Sequence, residues 1–283
     1  MKPEAITLNC ADGQPLAAKV LKPNSAQAAV VIAPALGVPS RFYAPYARYL
    51  VDHGFSVLTF DYRGSGESVA GSVRGRDVRM EDWGRLDIDA ALAWVQRELK
   101  PKKLFLVGHS AGGQLPGLAA MSEKLDGMVF VAASAPHLRH YPLRSWPKLG
   151  LTLYLAGPLL SLGRDQFPAK QTGLGSTTVA AGVVAQWSRW ARSRNYLFDA
   201  AHGIDTARYA KLNMPILSYC FADDSYATPA AVNALLAHYP NTVIERRIVP
   251  KSSQGTIGHF GYFREQHKDS LWHETSTWLE AQT

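Results

Sequence analysis

The segment KLFLVGHSAGGQL, Lys103 to Leu115, determines how the rest of the sequence is interpreted. Its first half is aliphatic, as expected for a buried strand, and its second half carries a serine with a glycine two residues away on each side. At Gly108 or Gly112, a larger side chain would collide with the backbone of a strained strand-to-helix turn. Such a turn exposes the Ser110 hydroxyl beside the N-terminal end of a helix. We predict that Ser110 is a nucleophile, and a purely structural glycine-rich turn is the alternative.

A serine hydroxyl is a weak nucleophile, and it needs a base that is itself oriented by a carboxylate. In an architecture of this kind, the acid and then the histidine follow the serine along the chain. Asp223 and Asp224 follow the apolar segment PILSYCF, and the register counted from its start favours Asp224 over Asp223. Among nine histidines, His259 alone combines this chain order with a loop flanked by glycines. The sequence therefore predicts a catalytic triad of Ser110, Asp224 and His259.

Acyl chemistry at a serine also requires N–H donors for the negative charge that develops on the substrate oxygen. The first predicted donor is the backbone N–H of Ala111, which directly follows the serine. The second comes from the loop after the apolar segment AAVVIA, where we expect the N–H of Leu36.

Strand-like and helix-like segments alternate over most of the sequence. This alternation predicts an α/β fold with a mostly parallel central sheet and helices on both faces. A helix is expected from Ala111 to about Lys124. The alternation stops between residues 137 and 205, which we interpret as an inserted, mainly helical cap on the carboxyl edge of the sheet. The predicted core then consists of residues 1–136 and 206–283.

The order of serine turn, acid and histidine resembles the α/β-hydrolase superfamily, and the resemblance covers essentially all residues outside the cap. FDYRGSGES, residues 60–68, looks like the Asp-x-Arg-Gly-x-Gly-x-Ser turn of those proteins. The segments FADD and GHFGYF are similar to those of a group of bacterial predicted α/β hydrolases. The chain differs from many relatives in the predicted oxyanion loop, where Pro34 and Ala35 replace His-Gly. The resemblance implies the α/β-hydrolase fold and a serine-esterase type of activity, although the fold also supports transferases, lyases and inactive proteins.

The predicted cap carries most of the positive charge of the chain. Eight basic residues against three acidic ones leave it at +5, out of a formal charge of +7 for the whole sequence. The basic residues are Arg139, Arg144, Lys148, Arg164, Lys170, Arg189, Arg192 and Arg194. This excess favours an anionic substrate or an anionic surface through electrostatic steering, and a solvated positive face is the alternative. A cap without glutamate and with few aspartates argues against binding the ammonium group of an aminopeptidase substrate.

Other function classes find less support. No run of five like charges is present, so nucleic acid is not an expected partner. Cys10 and Cys220 match no disulfide framework and no metal spacing, and we predict neither a metal nor a cofactor. The apolar run 149–163 is too short for a membrane span of roughly 20 residues. With no apolar N-terminal signal segment, a cytoplasmic protein is expected.

Together these patterns predict a serine hydrolase that cleaves a carboxylic ester or thioester of a small-molecule acyl substrate through an acyl-enzyme intermediate. Two alternatives remain at this stage. One is an acyltransferase with the same triad, and the other is a non-catalytic small-molecule-binding protein on the same scaffold.

Overall fold

The computed structural model describes residues 2–26, 28–69, 74–172, 175–251 and 255–283. The strands in these ranges are β1 (Glu4–Asn9), β2 (Pro15–Leu21), β3 (Ala28–Ala33), β4 (Phe55–Phe60), β5 (Lys103–His109), β6 (Gly127–Val131), β7 (Gln166–Phe167), β8 (Val179–Ala180), β9 (Ile216–Phe221) and β10 (Ile244–Val249). The α-helices are α1 (Ala44–Asp52), α2 (Met80–Asp82), α3 (Asp89–Trp94), α4 (Ala111–Gln114), α5 (Trp146–Gly150), α6 (Gly157–Ser161), α7 (Ala169–Thr172), α8 (Ala181–Arg192), α9 (Pro229–Leu236) and α10 (His273–Ala281). Wider, π-helical turns are found at Trp83–Ile88, Val95–Leu99, Leu151–Ala156 and Lys268–Trp272.

Eight of the described strands form one sheet, in the order β1-β2-β4-β3-β5-β6-β9-β10. The pairs β1–β2 and β2–β4 are antiparallel, and the remaining pairs are parallel. Every residue of β3, β4 and β6 is buried, as expected for strands of a parallel sheet that is covered on both faces. The predicted α/β class with a mostly parallel central sheet is confirmed.

The helix predicted from Ala111 to about Lys124 is wrong in its extent. α4 ends at Gln114, and the chain continues as two 3₁₀ turns, Pro116–Leu118 and Ala120–Lys124. Pro116 explains the break, because proline has no N–H to donate and its ring clashes with the carbonyl of the preceding turn.

The described parts of segment 137–205 are mainly helical, but they also contain the short antiparallel pair β7–β8. The sequence did not predict these strands, because two residues are too few for an alternating pattern to appear. α5, the π-helical residues Leu151–Ala156 and α6 follow one another without a gap, and we call this unit the 146–161 helix.

The 146–161 helix packs against α8 through small residues. Its buried residues include Leu153, Gly157 and Ser161, which are spaced four residues apart. A Cβ atom added at Gly157 would collide with the hydroxyl of Ser188 on α8, so the glycine permits this close approach. None of the helices in the described ranges combines the length and apolar character that a transmembrane span requires.

The turn at residues 60–68 fixes a loop that is relevant to the site. One carboxylate oxygen of Asp61 accepts a hydrogen bond from the N–H of Ser40 at 2.6 Å, and the other accepts from the N–H of Glu67 at 2.8 Å. Ser40 follows the loop after β3 that contains Leu36. The Asp61 carboxylate therefore ties this loop to the end of the neighbouring strand β4.

Candidate active site

Ser110 lies at the carboxyl end of β5, in the backbone conformation that a strained strand-to-helix turn requires. Its φ is +50° and its ψ is −111°, which a residue with a side chain rarely adopts. A Cβ atom at Gly108 would lie 2.6 Å from the carbonyl oxygen of Gly112, and one at Gly112 would collide with the carbonyl of Ala33. The two glycines therefore allow β5, α4 and the neighbouring β3 to approach closely around the serine.

His259 and Asp224 form a close pair. The ring nitrogen Nδ1 of His259 lies 2.7 Å from Oδ2 of Asp224, whose side chain is fully buried. Oδ1 of Asp224 accepts hydrogen bonds from the N–H groups of Tyr226 at 2.7 Å and Ala227 at 3.1 Å. Burial opposes ionisation of Asp224, but these hydrogen bonds, led by that of His259, hold its pKa below the usual value. The ionised carboxylate accepts from Nδ1–H, which leaves the lone pair of a neutral His259 ring on Nε2.

Asp223, the alternative acid, makes different contacts. Its carboxylate accepts hydrogen bonds from the backbone N–H groups of Ile257 at 2.8 Å and Gly258 at 2.9 Å. These donors directly precede His259 along the chain. Asp223 therefore fixes the backbone of the histidine loop, whereas Asp224 contacts the ring.

Ser110 and His259 line the same open pocket. The pocket is lined by Ala35, Leu36, Ser110, Ala111, Gln114, Ser134, Pro136, Tyr141, Lys148, Leu149, Thr152, Leu153, Thr172, Trp187, Tyr226, His259 and Phe260. Leu36 and Ala111, the predicted oxyanion donors, are both included, and Asp224 lies behind His259. The Ser110 hydroxyl forms no hydrogen bond with any described residue, so the structure places Ser110 and His259 in one pocket without a direct bond between them.

Comparison with known proteins identifies the family. Residues 24–178, more than half of the chain, match the family model described as "Serine aminopeptidase, S33". The chain belongs to this family. The α/β-hydrolase resemblance of the sequence is thereby confirmed, and the protein is an enzyme of the α/β-hydrolase type.

Solved structures share the fold of this S33 family member at low sequence identity. A highly thermostable carboxyl esterase from Bacillus coagulans matches with a TM-score of 0.69 and 13% identity, covering 99% of both chains. A soluble variant of monoglyceride lipase from Saccharomyces cerevisiae has a TM-score of 0.67 and 16% identity, over 100% of this chain and 96% of the lipase. An esterase from Exiguobacterium antarcticum has a TM-score of 0.65 and 13% identity, over 98% of this chain and 100% of the esterase. A search of curated protein sequences found no significant match.

In this S33 family member, sequence reasoning set aside one histidine that lies at the centre of the site. His109 is fully buried, and its Nε2 lies 2.8 Å from the backbone carbonyl of His259. Since a carbonyl only accepts, Nε2 carries the hydrogen and Nδ1 accepts from the Tyr43 hydroxyl at 2.9 Å. The Tyr43 oxygen in turn accepts from the N–H of Ala35 at 2.9 Å. Burial, assisted by the neighbouring His259, lowers the pKa of His109 to about 3, so the ring is neutral.

This chain of hydrogen bonds joins three parts of the site. Ala35 precedes Leu36 in the loop after β3, His109 precedes Ser110, and the carbonyl belongs to His259 itself. The histidine within the serine motif was the only sequence signal for this network, because nothing local distinguishes Tyr43 from other tyrosines.

The described residues contain no group of three or more His, Cys, Asp or Glu side chains that could hold a metal ion. Cys10 and Cys220 are both buried and free, and burial raises the pKa of the Cys10 thiol to about 12. Neither thiol lines the pocket that contains Ser110.

Proposed function

We propose that the protein is a serine hydrolase that cleaves carboxylic esters or thioesters, with Ser110 as nucleophile, His259 as general base and Asp224 as the acid that orients it. The observation that carries this proposal is the Asp224–His259 hydrogen bond beside the pocket in which a strained Ser110 presents its hydroxyl. This arrangement matches the roles of a Ser-His-Asp triad.

In the first half of the proposed reaction, the Ser110 oxygen attacks the acyl carbon while Nε2 of His259 takes its proton. The electron pair of the carbonyl bond moves to oxygen, where the N–H groups of Leu36 and Ala111 stabilise the negative charge. The structure gives neither N–H an acceptor among the described residues, which leaves both available. The intermediate then collapses, and the alcohol or thiol leaves with the proton from His259.

In the second half, a water molecule attacks the acyl-enzyme while His259 takes one of its protons. Collapse of this second intermediate breaks the bond to the Ser110 oxygen. The oxygen regains its proton from His259, and the carboxylic acid is released. Throughout both halves, the ionised Asp224 stabilises the imidazolium form of His259.

The pocket favours acyl groups that are neutral or anionic. Among the described lining residues, Lys148 is the only Lys, Arg, Asp or Glu, so no carboxylate lines this part of the pocket. A free substrate ammonium, which an aminopeptidase must bind, would find no partner of opposite charge there. We therefore assign ester or thioester cleavage to this chain in preference to the aminopeptidase activity named in the family description.

Segment 137–205 acts as the cap of this site in our proposal. Its support is the pocket lining, which includes seven residues of the segment: Tyr141, Lys148, Leu149, Thr152, Leu153, Thr172 and Trp187. Residues 1–136 and 206–283 supply the triad and the oxyanion donors, and the segment supplies much of the wall that contacts the acyl group.

The test is hydrolysis of p-nitrophenyl esters together with labelling by a fluorophosphonate probe. Ser110→Ala should abolish both, whereas Ser270→Ala, which changes an exposed serine outside the pocket lining, should retain both. Equal ester turnover by the wild type and Ser110→Ala would refute the assignment. Faster turnover with added alcohol or amine acceptors would indicate acyl transfer, and a folded protein that resists the probe would indicate a binding protein.

A further inference from the structure

The 146–161 helix and its flanks expose an unusual concentration of large apolar side chains. Of eleven such side chains exposed in the described ranges, seven lie between residues 143 and 162. They are Leu143, Trp146, Leu151, Tyr154, Leu155, Leu159 and Leu162. Single exposed leucines are common on protein surfaces, but a contiguous group of this kind marks an interaction site.

Four of these residues form one surface, which we call the leucine face: Leu151, Leu155, Leu159 and Leu162. Leu151, Leu155 and Leu159 are spaced four residues apart, which places them along one side of the helix, and Leu162 directly follows the end of the helix. Leu159 is 57% exposed and Leu162 is 77% exposed. The face is distinct from the buried side of the helix, which carries Leu153, Gly157 and Ser161.

The charged residues of the segment that carries the leucine face have one sign. No acidic residue occurs from 137 to 164, while Arg139, Arg144, Lys148 and Arg164 are basic. Asp165, the next acidic residue, is engaged by Arg76 at 3.3 Å. The partner that fits this surface therefore has an apolar layer bordered by negative charge.

We propose that the leucine face docks on the surface of an anionic phospholipid bilayer, with the 146–161 helix lying parallel to it. A bilayer offers hydrocarbon to the leucines and anionic headgroups to the basic residues. A second copy of this chain fits less well, because face-to-face contact would bring two segments of charge +5 together. The helix docks on the bilayer without crossing it, since its sixteen residues are fewer than the roughly 20 that a transmembrane helix needs.

Docking would place the pocket close to the lipid. Lys148, Leu149, Thr152 and Leu153 of the same helix line the pocket that contains Ser110. An ester dissolved in the bilayer could then reach the pocket without crossing bulk water. This consequence rests on the proposed function, whereas the docking itself can be measured without any turnover.

The experiment is flotation of the full chain with unilamellar vesicles of phosphatidylcholine, either alone or with about one third phosphatidylglycerol. The test variant is Leu155→Ser/Leu159→Ser, and the matched control is Val243→Ser/Ile248→Ser, which removes two even more exposed apolar side chains elsewhere. We expect the wild type and the control to bind anionic vesicles. The test variant should bind at least about tenfold more weakly, since burying one leucine changes an equilibrium constant by roughly that factor or more.

Salt and oligomeric state complete the test. Raising the salt concentration from about 0.1 M to 1 M shortens the screening length from about 10 Å to 3 Å and should weaken binding. Equal binding of the test variant and the control, or no binding of the wild type to anionic vesicles, would overturn the proposal. So would a wild-type dimer that becomes a monomer in the test variant, because a second copy would then cover the face.

Discussion

The substitution Tyr43→Phe tests whether the buried network behind the active site maintains its shape. The Tyr43 hydroxyl accepts a hydrogen bond from the N–H of Ala35 and donates one to Nδ1 of His109, both at 2.9 Å. Phenylalanine retains the ring and its edge-on contact with Phe263, at 4.7 Å between ring centroids. The substitution thus removes two hydrogen bonds and leaves a buried donor and a buried acceptor without partners.

The expected loss of stability follows from these two groups. Each buried polar group left unsatisfied costs about 1–3 kcal/mol, so the free energy of unfolding should fall by about 2–6 kcal/mol. In a chain of this size, 1 kcal/mol lowers Tm by roughly 2–4 °C, which predicts a decrease of roughly 4–24 °C. If the proposed mechanism is right, kcat on an ester should also fall more than KM rises, because the loops that carry Leu36 and His259 both depend on the network.

Urea and thermal unfolding measure the first effect, and steady-state ester hydrolysis measures the second. The matched control is Tyr62→Phe, since the Tyr62 hydroxyl is buried without a partner in the described residues while its ring stacks on Trp83. Removing that hydroxyl breaks no hydrogen bond and should leave stability nearly unchanged. Equal destabilisation of the two variants would refute the reasoning, as would a Tyr43→Phe enzyme with wild-type stability.

Two further predictions concern the acids and the buried histidine. Asp224→Asn should lower kcat by about 10⁴-fold, the loss known for replacement of the acid in a Ser-His-Asp triad. Asp223→Asn should lower Tm and leave most of kcat, because Asp223 contacts only the loop backbone. Similar kcat losses in the two variants would contradict this division. For His109, the folded pKa of about 3 lies below the ordinary 6.5, so the unfolded chain binds a proton that the folded chain does not between these values. Stability from this residue is complete above about pH 6.5 and should fall by about 1.4 kcal/mol per pH unit as the pH decreases toward 3. Urea titrations from pH 7 to 4 should show a steeper fall for the wild type than for His109→Gln, and parallel slopes would exclude the assignment.

The sheet and the serine turn could be predicted from sequence because their causes are local. Gly108 and Gly112 are required by contacts within one turn and with the adjacent strand, and the apolar strand before them needs no distant information. Chain order then indicated Asp224 and His259 as candidates, since each follows a recognisable strand. The register argument that favoured Asp224 over Asp223 agrees with the contact that Asp224 makes with the His259 ring.

Other features depend on contacts between distant parts of the chain. His109 bonds a carbonyl 150 positions away, and no pattern near Tyr43 indicates that its hydroxyl joins two loops. The exposure of the leucine face could not be predicted from the sequence either, because leucines occur around the whole 146–161 helix. The way the helix packs on α8 and on the pocket determines which of them remain in solvent.

The adjacent acids after β9 have a consequence for attempts to alter this enzyme. Asp223 sets the path of the backbone before His259, and Asp224 sets the angle of the ring, so one two-residue turn controls both the position and the orientation of the imidazole. Inserting or deleting a single residue in this turn would shift both carboxylates, so the loop backbone or the His259 ring would lose its partner. The turn and the histidine loop therefore form one transferable unit, and grafting the site onto another scaffold requires moving both together.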